Sequence, residues 1–151
     1  MRKQSVILRT AAHVLLPLLL LFSAFLLLRG HNAPGGGFIA GLVASAALAL
    51  YLFSLGIASA RHALGVDPRR LIGAGLVIAI GSALPAAFFG DAFFTGRWLT
   101  LDWFPSGPLK LGTPLLFDLG VYLVVIGSVM TIVLTLAEAE ERPDAPSNEG
   151  D

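Results

Sequence analysis

The sequence predicts an all-α integral membrane protein with four transmembrane helices and a longer aromatic-rich loop between the third and the fourth. Two observations carry that prediction. Of 151 residues, 56% are hydrophobic and 13% charged, against roughly 25% charged in soluble domains, and the mean hydropathy is +0.81. The apolar residues gather into four windows, near Ser5 to Leu28, Phe38 to Ala60, Leu71 to Gly90 and Pro114 to Ala137. Each is close to the roughly 20 residues a helix needs to cross a hydrocarbon core of about 30 Å. Together they make residues 1–137 one transmembrane domain, while the acidic, proline-containing segment 138–151, without apolar periodicity, reads as a disordered tail.

Charges fall in the gaps and at the ends, so their placement is more informative than their balance. Arg2, Lys3, Arg61, Arg69, Arg70 and Arg142 lie on one side of a four-span topology, and Arg29, Arg97 and Lys110 on the other. The excess predicts both termini in the cytoplasm of a bacterial plasma membrane. A secretory signal peptide competes for residues 1–30, but the apolar run is longer than an h-region, and Arg9 and Pro17 interrupt it. Arg29-Gly30-His31 stands where a small-residue cleavage site belongs. With no cysteine, disulfides, thiolate nucleophiles, iron-sulfur clusters and zinc-thiolate sites are excluded within this chain.

Along the first span, Arg9, His13 and Pro17 are spaced four apart and share a helical face. Arg9 can snorkel to the interface; His13 sits deeper and is expected to face a neighbouring helix or a water-filled cavity. Pro17 lacks an N–H and so frees the carbonyl of His13. Between the first two spans lies His31-Asn32-Ala33-Pro34-Gly35-Gly36-Gly37-Phe38, the least generic segment of the chain. Pro34 biases Ala33 away from helical backbone, and three consecutive glycines permit conformations closed to other residues, so a tight, shaped reversal is expected. The second span then repeats Gly37, Gly41, Ser45 and Ala49 every four residues, a stripe that lets a second helix approach closely.

Arg61-His62 and Asp67-Pro68-Arg69-Arg70 read as a short basic connection beside anionic lipid headgroups. The third span is rich in small residues and carries Pro85, which predicts close packing and a kink. Asp91 at its C-terminal end has the helix dipole against it, so it calls for a cation, a water-filled site or an exposed loop. Phe93, Phe94, Trp98, Trp103 and Phe104 then mix with prolines and glycines, as in an interfacial belt or a short re-entrant element, with Arg97 and Lys110 available as countercharge to Asp91. Asp118 falls in the first turn expected for the fourth span, with Tyr122 one turn on along the same face. Two readings stand: a helix-end anchor, or a polar contact in an ion path or subunit seam.

No catalytic constellation, cofactor motif or metal set emerges, and the glycines lack the preceding strand and following lysine of a phosphate loop. The chain is expected to be neither an enzyme nor a nucleic-acid binder. Gly30 through Phe38, leading into a small-residue helix, together with Leu115-Leu116-Phe117-Asp118-Leu119-Gly120-Val121-Tyr122-Leu123, resembles the MnhB/MrpB family of small subunits in Mrp-type multisubunit cation/proton antiporters. The likeness runs over nearly the whole chain up to the tail and includes Phe88-Phe89-Gly90-Asp91, where the family has an acidic residue.

That resemblance implies a non-autonomous four-helix subunit of a large hetero-oligomer that exchanges cytoplasmic sodium for external protons at the expense of the proton-motive force. It implies a place among small partner subunits, with a role in assembly and activity, and Na+ and H+ as transported ions rather than cofactors. Pro34 and Phe38 match family positions associated with function; Lys110 matches a basic position only loosely, because local spacing differs. The candidate ion-path or interface residues are therefore His13, Pro34, Gly35, Gly36, Gly37, Phe38, Asp91, Lys110 and Asp118, with Gly41 and Ser45 for helix packing. A purely structural scaffold, or a small subunit of a related membrane-bound hydrogenase, are the alternatives. The chain itself favours a dependent subunit, since it lacks the internal inverted repeat of lone secondary transporters.

Overall fold

The computed structural model describes residues 6–29, 35–82, 84, 98–101 and 109–141. Within them the chain forms α1 (Val6–Arg29), α2 (Gly37–Leu55), α3 (Ile57–Leu64), α4 (Pro68–Gly81), β1 (Trp98–Leu101), β2 (Leu109–Gly112) and α5 (Thr113–Glu141). Three of these helices, α1, α2 and α5, are long and apolar enough to cross a membrane. The bundle is organised around α2, which packs against both α1 and α5, while α4 lies along α5.

The second predicted span, drawn through Ala60, is cut at Gly56, which adopts φ 89° and ψ 171°. At about 1.5 Å per residue, Gly37 to Leu55 already covers about 27 Å, so the crossing is nearly complete where the break comes. Beyond it, α3 carries Arg61 and His62 in its last turn and ends on Gly65 in the left-handed conformation, at φ 70°. Gly56 occupies a backbone region that only glycine tolerates well, and no atom lies within 4 Å of where its Cβ would stand. Gly56→Ala is therefore expected to lower stability by backbone strain alone, by about 1–3 kcal/mol, read as a lower unfolding midpoint of the detergent-solubilised protein.

The predicted third span, 71–90, is represented by α4. It starts earlier because Asp67 caps it, accepting a hydrogen bond from the Arg69 N–H at 2.9 Å, with Pro68 at the first helical position. The later part of that span, including Pro85, lies outside the described residues apart from Leu84. The expected loop before the last helix contains an antiparallel ribbon, with Trp98 opposite Gly112 and Leu101 opposite Leu109. Trp98-Leu99-Thr100-Leu101 and Leu109-Lys110-Leu111 carry the β-forming residues and alternation that favour it, and pairing satisfies their main chain at a membrane boundary. The last helix runs to Glu141, four residues past the expected Ala137, and the tail from 142 lies outside the described residues.

Ala44, Leu48 and Leu52 of α2, Ala60 of α3, and Ile126, Met130 and Leu134 of α5 form the buried apolar core. It occupies the half of the bundle that also contains the N-terminus of α1 and the C-terminus of α5. There the Arg61 guanidinium pairs with the Glu138 carboxylate, its Nε at 3.1 Å from Oε1. With both side chains nearly half exposed, at 49% and 42%, the pair anchors α3 to α5 with no more than about 1 kcal/mol.

Candidate functional site

At the opposite end, the glycine hinge meets the start of α5. Gly36 is the N-cap of α2, with φ 97° and ψ 176°, and its N–H donates to the Leu26 carbonyl of α1 at 3.2 Å. Positive φ here is what the run of glycines makes available. Gly37 then lies so close to α5 that a Cβ would run into the main-chain oxygen of Asp118 and stand 2.7 Å from its carbonyl carbon. The Asp118 carboxylate lies beside Gly36, with both oxygens 3.7 Å from where a Cβ would be. One turn further, a Cβ on Gly41 would stand 2.8 Å from Val125 Cβ and 3.1 Å from the Tyr122 carbonyl oxygen. The small-residue stripe of α2 thus receives a helix of the same chain.

The span boundaries expected from hydropathy put Asp118 in the first turn of its helix. Because α5 begins at Thr113, directly after β2, the carboxylate falls in the second turn, where the field of its own helix end has largely decayed. The helix end it does approach is that of α2, whose N-cap residue has no side chain and whose first turn carries no acidic residue. A carboxylate at that position complements the positive end of the α2 dipole from a neighbouring helix.

Deeper in the bundle, the Ser23 hydroxyl of α1, fully buried, donates to the Ala40 carbonyl of α2 at 2.8 Å and lies 3.1 Å from the Tyr122 hydroxyl of α5. Three helices are thereby tied at one polar point. Ser45 is also buried, but its hydroxyl is spent on the Gly41 carbonyl of its own helix, at 2.7 Å. Gly35 leads into this arrangement, whereas Phe38 turns outward and is 59% exposed.

A second close approach joins α5 to α4. A Cβ on Gly120 would stand 2.6 Å from the Ala79 nitrogen and 2.7 Å from the Gly75 oxygen, and one on Gly127 would stand 2.6 Å from the Pro68 oxygen. Sequence reasoning does not single out Gly120, Gly127 or Ser23 as contact residues. Gly120 and Gly127 are accessible to periodicity, since positions seven apart share a helical face. Ser23 has no such signal; a serine in an apolar run reads as filler.

His13 is remote from this seam, near the N-terminal end of α1. Its Nδ1 lies 2.9 Å from the Arg9 carbonyl oxygen, and its ring packs edge-to-face with that of Tyr51 on α2, with centroids 5.6 Å apart. Pro34 and Asp91 lie outside the described residues; Lys110 is placed only by its backbone, opposite Thr100 in the ribbon.

Residues 7–131 match a family model described as a domain related to the MnhB subunit of Na+/H+ antiporter. The chain belongs to the MnhB family. It is 40% identical over 139 residues to the B subunit of the Na+/H+ antiporter of Bacillus subtilis, covering 92% of this chain and 97% of that protein. The corresponding protein of Alkalihalophilus pseudofirmus is 39% identical, with 91% and 96% covered. Among solved structures, the Mrp complex from a Dietzia species matches with a TM-score of 0.77 and 37% identity over 93% of this chain. The match takes up 15% of that much longer chain. The two motifs that carry the MnhB resemblance, the glycine hinge and the segment around Asp118, are the two that touch in the fold.

Proposed function

We propose that this chain is the MnhB component of a multisubunit Na+/H+ antiporter driven by the proton-motive force, and that it serves there as a dependent, shape-giving subunit of a bacterial plasma membrane. The observation that carries this reading is the seam between Gly36-Gly37 and Asp118, continued by Ser23, Ala40 and Tyr122. Main chain approaches main chain, and the buried Ser23 hydroxyl ends on the Ala40 carbonyl, which has no proton to pass on. Such an arrangement fixes helices rigidly and is poorly suited to carrying a proton through the chain. It supports assembly over transport as the role of Gly35, Gly36, Gly37, Asp118, Gly41 and Ser45. Pro34 and Phe38 belong to the same hinge, Phe38 with its exposed ring toward neighbouring subunits.

The finer topology follows from the same reading. Four spans are counted, α4 being the start of the third, with 1–137 as the membrane domain and 138–151 as the tail. Both termini are cytoplasmic, in line with the basic residues Arg61, Arg69 and Arg70 at the end that holds the start of α1 and the end of α5. Asp91 and Lys110 then lie on the opposite side. The named relatives favour the antiporter over the hydrogenase alternative.

The test is sodium-dependent proton flux in everted vesicles that contain this chain alone, the full set of subunits, or the full set without it. Flux only with the full set, and loss of the assembled complex when this chain is missing, is the expected result. Transport by the chain alone, or normal transport without it, would contradict the proposal.

A further inference from the structure

One face of α1 is not accounted for by the seam. Arg9, His13 and Pro17, each exposed, stack along it, and His13 leans on Tyr51 of α2. Arg9 and Arg29 are about 30 Å apart along the helix, so His13 stands about one turn inside the hydrocarbon boundary set by Arg9. Donation from His13 Nδ1 to the Arg9 carbonyl leaves Nε2 as the acceptor nitrogen of the neutral ring. The His13 carbonyl has lost its helical donor at Pro17. Among the described residues, the Arg9 guanidinium forms no ion pair and the Tyr51 hydroxyl no hydrogen bond. Arg9 and His13 thus stand exposed on one face beside the Tyr51 ring, and at the depth of His13 acyl chains supply no partner for an imidazole.

We infer that the Arg9–His13–Pro17 face of α1, with Tyr51 of α2, is a docking surface for a transmembrane helix of a neighbouring subunit that presents a carboxylate to Arg9. The sign of the partner group follows from the guanidinium charge, and its depth from the position of Arg9. The inference rests on the reading of the chain as one component of a larger complex.

The absence of cysteine makes the test direct. Thr10→Cys, exposed beside this face, is labelled with a benzophenone maleimide in the purified complex, with the other subunits free of reactive cysteine, and Val77→Cys on α4 is labelled for comparison. Crosslinking from position 10 to one particular subunit is expected. Arg9→Gln should then lower recovery of the complex by about tenfold, Arg9→Lys should recover most of it, and an arginine in place of the partner's carboxylate should be rescued by Arg9→Glu. An intact complex in which position 10 crosslinks only to lipid, or in which Arg9→Gln assembles normally, would overturn the inference. Failure of the tagged chain to co-purify with any other subunit would instead overturn the multisubunit reading.

Discussion

Gly37→Ala is expected to remove this subunit from the antiporter complex. The added methyl group would fall on the main-chain oxygen of Asp118 and within 3.0 Å of its Cα, and neither atom can turn away as a side-chain tip could. The N-terminus of α2 would have to lift from α5, which opens the contact with the Asp118 carboxylate and loosens the Ser23 hydrogen bond to Ala40 behind it. Overpacking of this kind costs about 1–3 kcal/mol, and the larger value lowers an equilibrium more than a hundredfold. Affinity purification through another subunit, followed by quantitation of this chain, measures the loss; flux should fall in parallel. Gly73→Ala is the matched control. No atom lies within 4 Å of the Cβ it would add, and alanine is the better helix former by about 1 kcal/mol, so recovery should hold or rise.

Gly120→Ala should act as strongly on the other side of α5. Its methyl group would meet the Ala79 nitrogen at 2.6 Å and the Gly75 oxygen at 2.7 Å, again main chain on both counts. In a bilayer, helices associate through close packing rather than through the removal of apolar surface from water, so an interface of this kind has little else to hold it. The principal partner of α4 is α5, and separation of the two should move α4 away while α1 and α2 remain paired. Disulfide formation between one cysteine placed on α4 and one on the facing side of α5, scored against the chain with Gly120 intact, is the measurement. Gly75→Ala should reproduce the effect from the facing helix, because its Cβ would stand 2.6 Å from the Gly120 oxygen.

Much of this is legible in the sequence, for reasons that differ from element to element. Apolar run lengths reveal the long helices because the bilayer sets a minimum that few other segments reach. The glycine hinge stands out because Pro34 and three glycines have few roles besides a shaped turn, and the stripe at Gly37, Gly41 and Ser45 announces a close neighbour. That this neighbour is α5 is not readable, since spacing within one helix says nothing about which helix it meets. The break at Gly56 is hidden by apolar residues on both sides, which fit a continuous span as well as an elbow. Asp118 is read as lying in the first turn of α5 although it is the sixth residue from Thr113, and the helix end that it faces belongs to another segment. Ser23 can be found only in three dimensions.

On the proposed reading Asp118 holds the hinge rather than carrying the ion, and one substitution separates these roles. Asp118→Asn keeps the size of the side chain while removing its charge beside the start of α2, a loss of about 0.3–1 kcal/mol. The quantity to measure is sodium-dependent proton flux divided by the amount of assembled complex. A modest fall in recovery, of about two- to fivefold, with flux per assembled complex unchanged, is the result expected of a hinge anchor. Full recovery of a complex that no longer transports would contradict it.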